Sequence, residues 1–128
     1  MSDGNTAVPT MVTAALDQGL PAHVNVDEYD ACPVTQVFRM LGDKWTLLVL
    51  MLLAERPHRF NELNRRVDGI SQRMLTRTLR TLEDERLVAR TVFPTVPPGV
   101  EYALTDEARG LLAPLADLAD WAVRRQTA

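Results

Sequence analysis

Residues 60 to 85 carry two helical patterns separated by a few residues, and that tight junction constrains the fold more than any other feature. Phe60, Leu63 and Val67 recur at i, i+3 and i+7, the spacing of one face of a short helix. Asp68-Gly69 breaks it. Ser71 then stands where a side-chain oxygen caps the free amides of a new helix running to about Asp84 or Glu85. At roughly 100° per residue, Leu75, Leu79 and Leu82 share a narrow arc, with Met74 at its margin. Arg73, Arg77 and Arg80 fall nearly opposite, with Gln72 and Thr76 on one flank. A packing helix, a glycine-containing turn and a second helix with an arginine-rich outer face form a helix-turn-helix.

The flanking segments complete a mainly α fold with one small β-hairpin. Pro33 suits the first turn of a helix in which Val34, Val37, Phe38 and Leu41 follow at helical spacing before Gly42 ends it. Asp43 is placed to cap a second helix, Lys44 to about Glu55, apolar nearly all round and so expected in the middle of a core. Trp45, Leu48, Phe60, Leu75, Leu79 and Leu82 are the expected core. Leu87 to Phe93 and Val100 to Leu104 read as strands around a proline-rich turn. Thr105 caps a last helix with Asp106 and Glu107 in its first turn and Arg124 and Arg125 in its last, both complementing the helix dipole. Residues 1–28 read as a flexible arm with a short helix around Thr10 to Leu16, and residues 29–128 as the domain.

Charge and composition narrow the function class. Of 128 residues, 46% are hydrophobic and 24% charged, ordinary globular usage. The net charge of −3 conceals a basic middle: residues 56–100 hold nine arginines against five acids. That middle asks for an anionic partner. The apolar run from Trp45 to Ala54 is about half of the ~20 residues needed to cross a bilayer, and no secretory signal opens the chain. A cytoplasmic protein without a membrane partner is expected. A single cysteine, Cys32, excludes an intrachain disulfide and a cysteine-rich zinc module. No P-loop, GxGxxG, HExxH or nucleophile elbow occurs, so neither an enzyme, a metal nor a cofactor is expected.

A helix of this kind enters a major groove about 12 Å wide. Gln72, Arg73, Thr76 and Arg77 form the base-reading or groove-entering set, because Arg can be bidentate to guanine and Gln to adenine. Ser71 and Arg80 are expected on phosphate, with Arg59, Arg65 and Arg66 as clamps and Arg90 at the hairpin's base. The hairpin tip, Thr95 to Gly99, carries no charge. The competing reading is a solvated face on which Arg80 and Asp84 are ion-pair neighbours.

Four stretches, "CPVTQVFRMLGDKWTLLVLMLL", "RFNEL", "GISQRMLTRTLRTLEDERLV" and "VPPGVEYALTDEARGL", occur in uninterrupted order over residues 32 to 121. Together they resemble the HxlR-type winged-helix regulators of bacteria, relatives of the MarR type. The resemblance implies a homodimer on a pseudo-palindromic operator, with the first and last helices at the dimer interface. It also implies that some members respond to electrophiles or oxidants through a cysteine placed like Cys32. Two departures stand out: Arg86 replaces the glycine of the family's "EDGLV", and Gly99 stands where members often carry a basic residue.

The last helix supports the dimer independently. Leu111, Leu112, Leu115, Leu118, Ala119 and Ala122 form a broad apolar stripe with Trp121 beside it, more than a small core covers along with Val34, Val37 and Phe38. The expected interface is Val34, Val37, Phe38, Leu111, Leu115, Leu118, Trp121 and Ala122; the alternative is a monomer whose last helix folds back. Cys32, near a helix N-terminus, is a candidate redox sensor, opposed by Asp27, Glu28 and Asp30. Its alternative role is a small buried hydrophobe. Duplex DNA is the expected partner, with a small-molecule or electrophile effector; the runner-up is a winged-helix module that binds an acidic protein.

Overall fold

The computed structural model describes residues 11–127, so the expectation for residues 1–10 lies outside the described residues. Residues up to Asp43 and residues from Lys44 onward form two compact units, taken here in turn.

The first unit holds α1 (Met11–Asp17), α2 (Val26–Ala31) and α3 (Pro33–Leu41). The short helix expected near Thr10 to Leu16 is α1. Gly19 closes it at φ 84°, donating to the Ala14 carbonyl at 2.7 Å. Helix α2 was not anticipated. Asn25 starts it, its Oδ1 accepting from the amides of Asp27 and Glu28 at 2.8 and 3.1 Å, and those two acids sit in the positive first turn. Cys32 ends α2 and begins α3, with Pro33 at the first helical position and Gly42 at the close, as expected.

The second unit runs α4 (Thr46–Glu55), β1 (His58–Arg59), α5 (Phe60–Arg66), α6 (Gln72–Asp84), β2 (Val88–Phe93), β3 (Gly99–Leu104) and α7 (Asp106–Thr127). The hairpin is accompanied by β1, giving an antiparallel sheet in the order β1-β3-β2. Val49, Leu50 and Leu53 of α4, Leu63 of α5, Leu75, Leu79 and Leu82 of α6 and Ala108 of α7 are nearly inaccessible and form the core.

Two expectations about α4 fail. Its N-cap is Trp45, with no side-chain cap bond, and not Asp43, because the helix begins only at Thr46. Nor is it buried all round: Leu47, Leu48 and Met51 are 39%, 41% and 58% exposed. Leu48 is therefore not core, and Trp45 and Phe60 are half-buried. A helix with apolar side chains at nearly every position gives no pattern by which to choose the face that packs. The apolar surplus stays at the surface.

Candidate nucleic-acid interface

The junction that opened the sequence argument folds as expected. Gly69 adopts φ 89°, a conformation glycine tolerates without strain, and Trp45 packs over that spot. Ser71 Oγ accepts from the Met74 amide at 3.0 Å, starting α6. The helix ends in a Schellman turn: Leu87 donates to the Leu82 carbonyl and Arg86 to the Glu83 carbonyl, each at 2.9 Å. Arg86 takes the left-handed position at φ 61°, where the resembled family has glycine. The turn is kept and its usual residue is not.

The two faces of α6 separate as the wheel requires. Leu75, Thr78, Leu79 and Leu82 are buried, while Gln72, Arg73, Thr76, Arg77 and Arg80 are exposed. The exposed set, with Thr81 and Asp84, lines an open groove of about 740 Å³. The Arg80–Asp84 pair does not form, and among the described residues Arg73, Arg77 and Arg80 have no ion pair. Among the described residues, three guanidiniums without an ion pair thus share one helix face, an arrangement suited to a polyanion.

The surrounding arginines differ in freedom. Arg65 is exposed and, among the described residues, forms no ion pair, whereas Arg66 bonds Glu55 at 2.8 Å and Arg90 lies 3.6 Å from Glu83. Arg56, not nominated from sequence, pairs with Glu62. That bond, with the Arg59 amide second, holds the Glu62 carboxyl at about 2, well below its ordinary value. The Arg66 bond likewise lowers Glu55. Arg59 stacks on Phe93 with its Cζ 4.6 Å from the ring centroid.

Of the expected interface residues, Val37 and Phe38 on α3 are 37% and 60% exposed, and Val34 is half-buried. On α7, Leu111 and Leu115 are half-buried, Leu118 and Trp121 are about half exposed, and Ala122 is exposed. From Ala116 to Thr127 every side chain is at least partly exposed. Leu47, Met51 and Ala54 of α4 complete an apolar groove of about 410 Å³ with Leu112, Leu115 and Leu118. Sequence reasoning missed the α4 half of this groove; the surplus of apolar positions was its only signal.

Cys32 is 7% exposed and lines a cavity of about 390 Å³ with Tyr29, Thr35 and Phe38. Asp30, one of the acids expected to oppose its reactivity, is paired with Arg39. Among the described residues no cluster of His, Cys, Asp and Glu could hold a metal, and no helix is long and apolar enough to cross a membrane.

Comparison with known proteins agrees with this geometry. The sequence model of the HxlR-like helix-turn-helix family matches residues 40–127. An uncharacterized HTH-type transcriptional regulator of Methanothermobacter thermautotrophicus is 47% identical over 95 residues, covering 74% of this chain and 72% of that one. The reduced form of the transcriptional regulator YodB from B. subtilis superposes with a TM-score of 0.66 at 36% identity, over 71% of this chain and 90% of that one. The redox regulator HypR in its oxidized form gives a TM-score of 0.65 at 38% identity, over 73% and 96%.

Proposed function

The chain belongs to the HxlR-like helix-turn-helix family of winged-helix transcriptional regulators, and from that premise we propose that it binds a pseudo-palindromic DNA operator as a homodimer. The observation that carries this reading is the exposed arginine face of α6, which forms no ion pair among the described residues. Gln72, Arg73, Thr76 and Arg77 enter the major groove, Ser71 and Arg80 touch its phosphate rim, and Arg59 and Arg65 clamp the backbone alongside. Arg66 and Arg90 contribute less, because each is already engaged by a carboxylate. Residues 29–128 carry DNA binding and dimerisation, and residues 1–28 precede them as an arm.

The homodimer is supported by the uncovered half of α7 and by its groove with α4. A two-fold pairing that buries these surfaces would set two α6 helices roughly 34 Å apart, one turn of the duplex.

A second reading concerns regulation. The buried thiol of Cys32 borders a mostly apolar cavity, and one solved relative, HypR, is described as a redox regulator in both its oxidized and reduced forms. We infer that an oxidant or electrophile reaching Cys32 alters operator affinity. As the sole cysteine it can form a mixed disulfide, a bridge between subunits or an oxidised acid.

Fluorescence anisotropy against the intergenic DNA beside its own gene tests both, with a scrambled competitor, a salt titration and the thiol reduced or oxidised. Tight binding that survives the competitor supports the operator reading. Equal, weak binding to both duplexes favours a module that meets an acidic protein. Indifference to oxidation returns Cys32 to a packing role.

A further inference from the structure

The wing tip bears no charge of its own: Thr95, Val96, Pro97 and Pro98 are uncharged, and Gly99 opens β3. A cation is nonetheless seated on the hairpin. Arg59, reaching from β1, lays its guanidinium on the ring of Phe93. Phe93 and Gly99 are the paired residues that end the ladder nearest the tip. A Cβ at residue 99 would fall onto Nη1 of Arg59. The guanidinium thus fills the volume a residue-99 side chain would take. Glycine leaves that volume to the guanidinium, and its backbone is not in the left-handed region.

Arg59 also forms no ion pair among the described residues. Its cross-strand neighbour is Glu101, yet no ion pair joins them, and among the described residues Arg59 pairs with no other carboxylate. Arg56, Arg66 and Arg90 are all so paired. Stacking occupies one face of a guanidinium and leaves its N–H edge available to an anion. The Arg59 side chain is exposed.

We propose that Phe93 and Gly99 form a seat that docks the Arg59 guanidinium on the wing, and that this cation, supplied from β1, is the wing's contact with DNA phosphate. The inference rests on the DNA-binding reading above and adds two positioning residues to it.

The test is the slope of log K against log salt for the full chain on a mixed-sequence duplex. Arg59→Ala should lower the slope by about 0.9, the value of one phosphate contact on B-DNA. Gly99→Ala should do the same by displacing the guanidinium, and the double variant should lose no more than either single one. Phe93→Leu, which keeps the wing apolar and removes the ring, should weaken the contact too. Gly99→Lys placed in the Arg59→Ala background should restore the slope. Only the mobile end of Arg59 opposes the new Cβ, so circular dichroism should report an unchanged fold for Gly99→Ala.

An unchanged slope in Gly99→Ala beside a lowered one in Arg59→Ala would overturn the seat. An unchanged slope in Arg59→Ala would overturn the wing contact. Wild-type protein that binds no duplex in a salt-dependent way would overturn the DNA-binding reading itself, and this proposal with it.

Discussion

Arg66 donates from Nη1 to Nε2 of His58 at 2.8 Å, and the same nitrogen reaches Glu55 Oε1 at 2.8 Å. His58 is fully buried, and its Nδ1 lies 2.8 Å from the Arg56 carbonyl. A carbonyl only accepts, so Nδ1 donates to it, and Nε2 faces the arginine. The relay ties the end of α4 to β1 and to the last turn of α5. His58→Leu should remove both bonds and cost about 1–3 kcal/mol of stability, read from urea unfolding. A loss below the measurement error would mean that solvent replaces the relay.

Arg77→Ala should weaken operator binding by about 1–3 kcal/mol and relax discrimination at one base pair. Arg65→Ala should instead weaken operator and random duplex equally and lower the salt slope by about 0.9. Arg66→Ala should lower the slope less than Arg65→Ala, since its guanidinium is shared with Glu55 and His58. Equal losses on both duplexes for Arg77→Ala would move that residue to the phosphate class.

Acid should loosen the start of α5. Glu62 is held at about 2 against an ordinary 4.5, first by Arg56 and then by the Arg59 amide. A carboxyl lowered in the folded state stabilises it fully above its ordinary value and loses that contribution as pH falls toward the folded value. The denaturation midpoint should therefore decline between pH 4.5 and about 2. Glu62→Gln should make that decline shallower, and an identical pH profile would refute the assignment.

Arg86→Gly should stabilise the protein by about 0.5–1 kcal/mol, because glycine takes the left-handed position closing α6 without a side-chain penalty. A higher melting temperature with unchanged DNA affinity is expected. A lower one would mean that the Arg86 side chain compensates for its own backbone strain.

Leu118→Glu places a charge on a half-exposed rim of the apolar groove and should leave the monomer folded. Sedimentation should show the dimer dissociating, with operator affinity falling alongside. A dimer that survives would move the interface away from the α4 and α7 groove.

Much of the helix-turn-helix was legible along the chain. The Ser71 cap is satisfied three residues away, the buried leucines of α6 repeat within one helix, and the proline-rich turn joins strands that pair with each other. Those interactions are local, so residue type and spacing suffice to specify them. The arginine face of α6 was readable for the same reason, since one helix carries the whole of it.

What escaped reading depends on partners remote in sequence. His58–Arg59 is a strand only because the edge of β3 lies beside it, and no two-residue pattern announces that. The seat under Arg59 joins β1 to the far end of the hairpin, and the His58 relay joins three elements. Most of all, α4 has apolar side chains on every side, so only packing in three dimensions selects Val49, Leu50 and Leu53 for the core and leaves Leu47, Leu48 and Met51 outside. Periodicity reports a buried face where polar and apolar positions alternate; where all positions are apolar, the neighbours that arrive on folding make the choice.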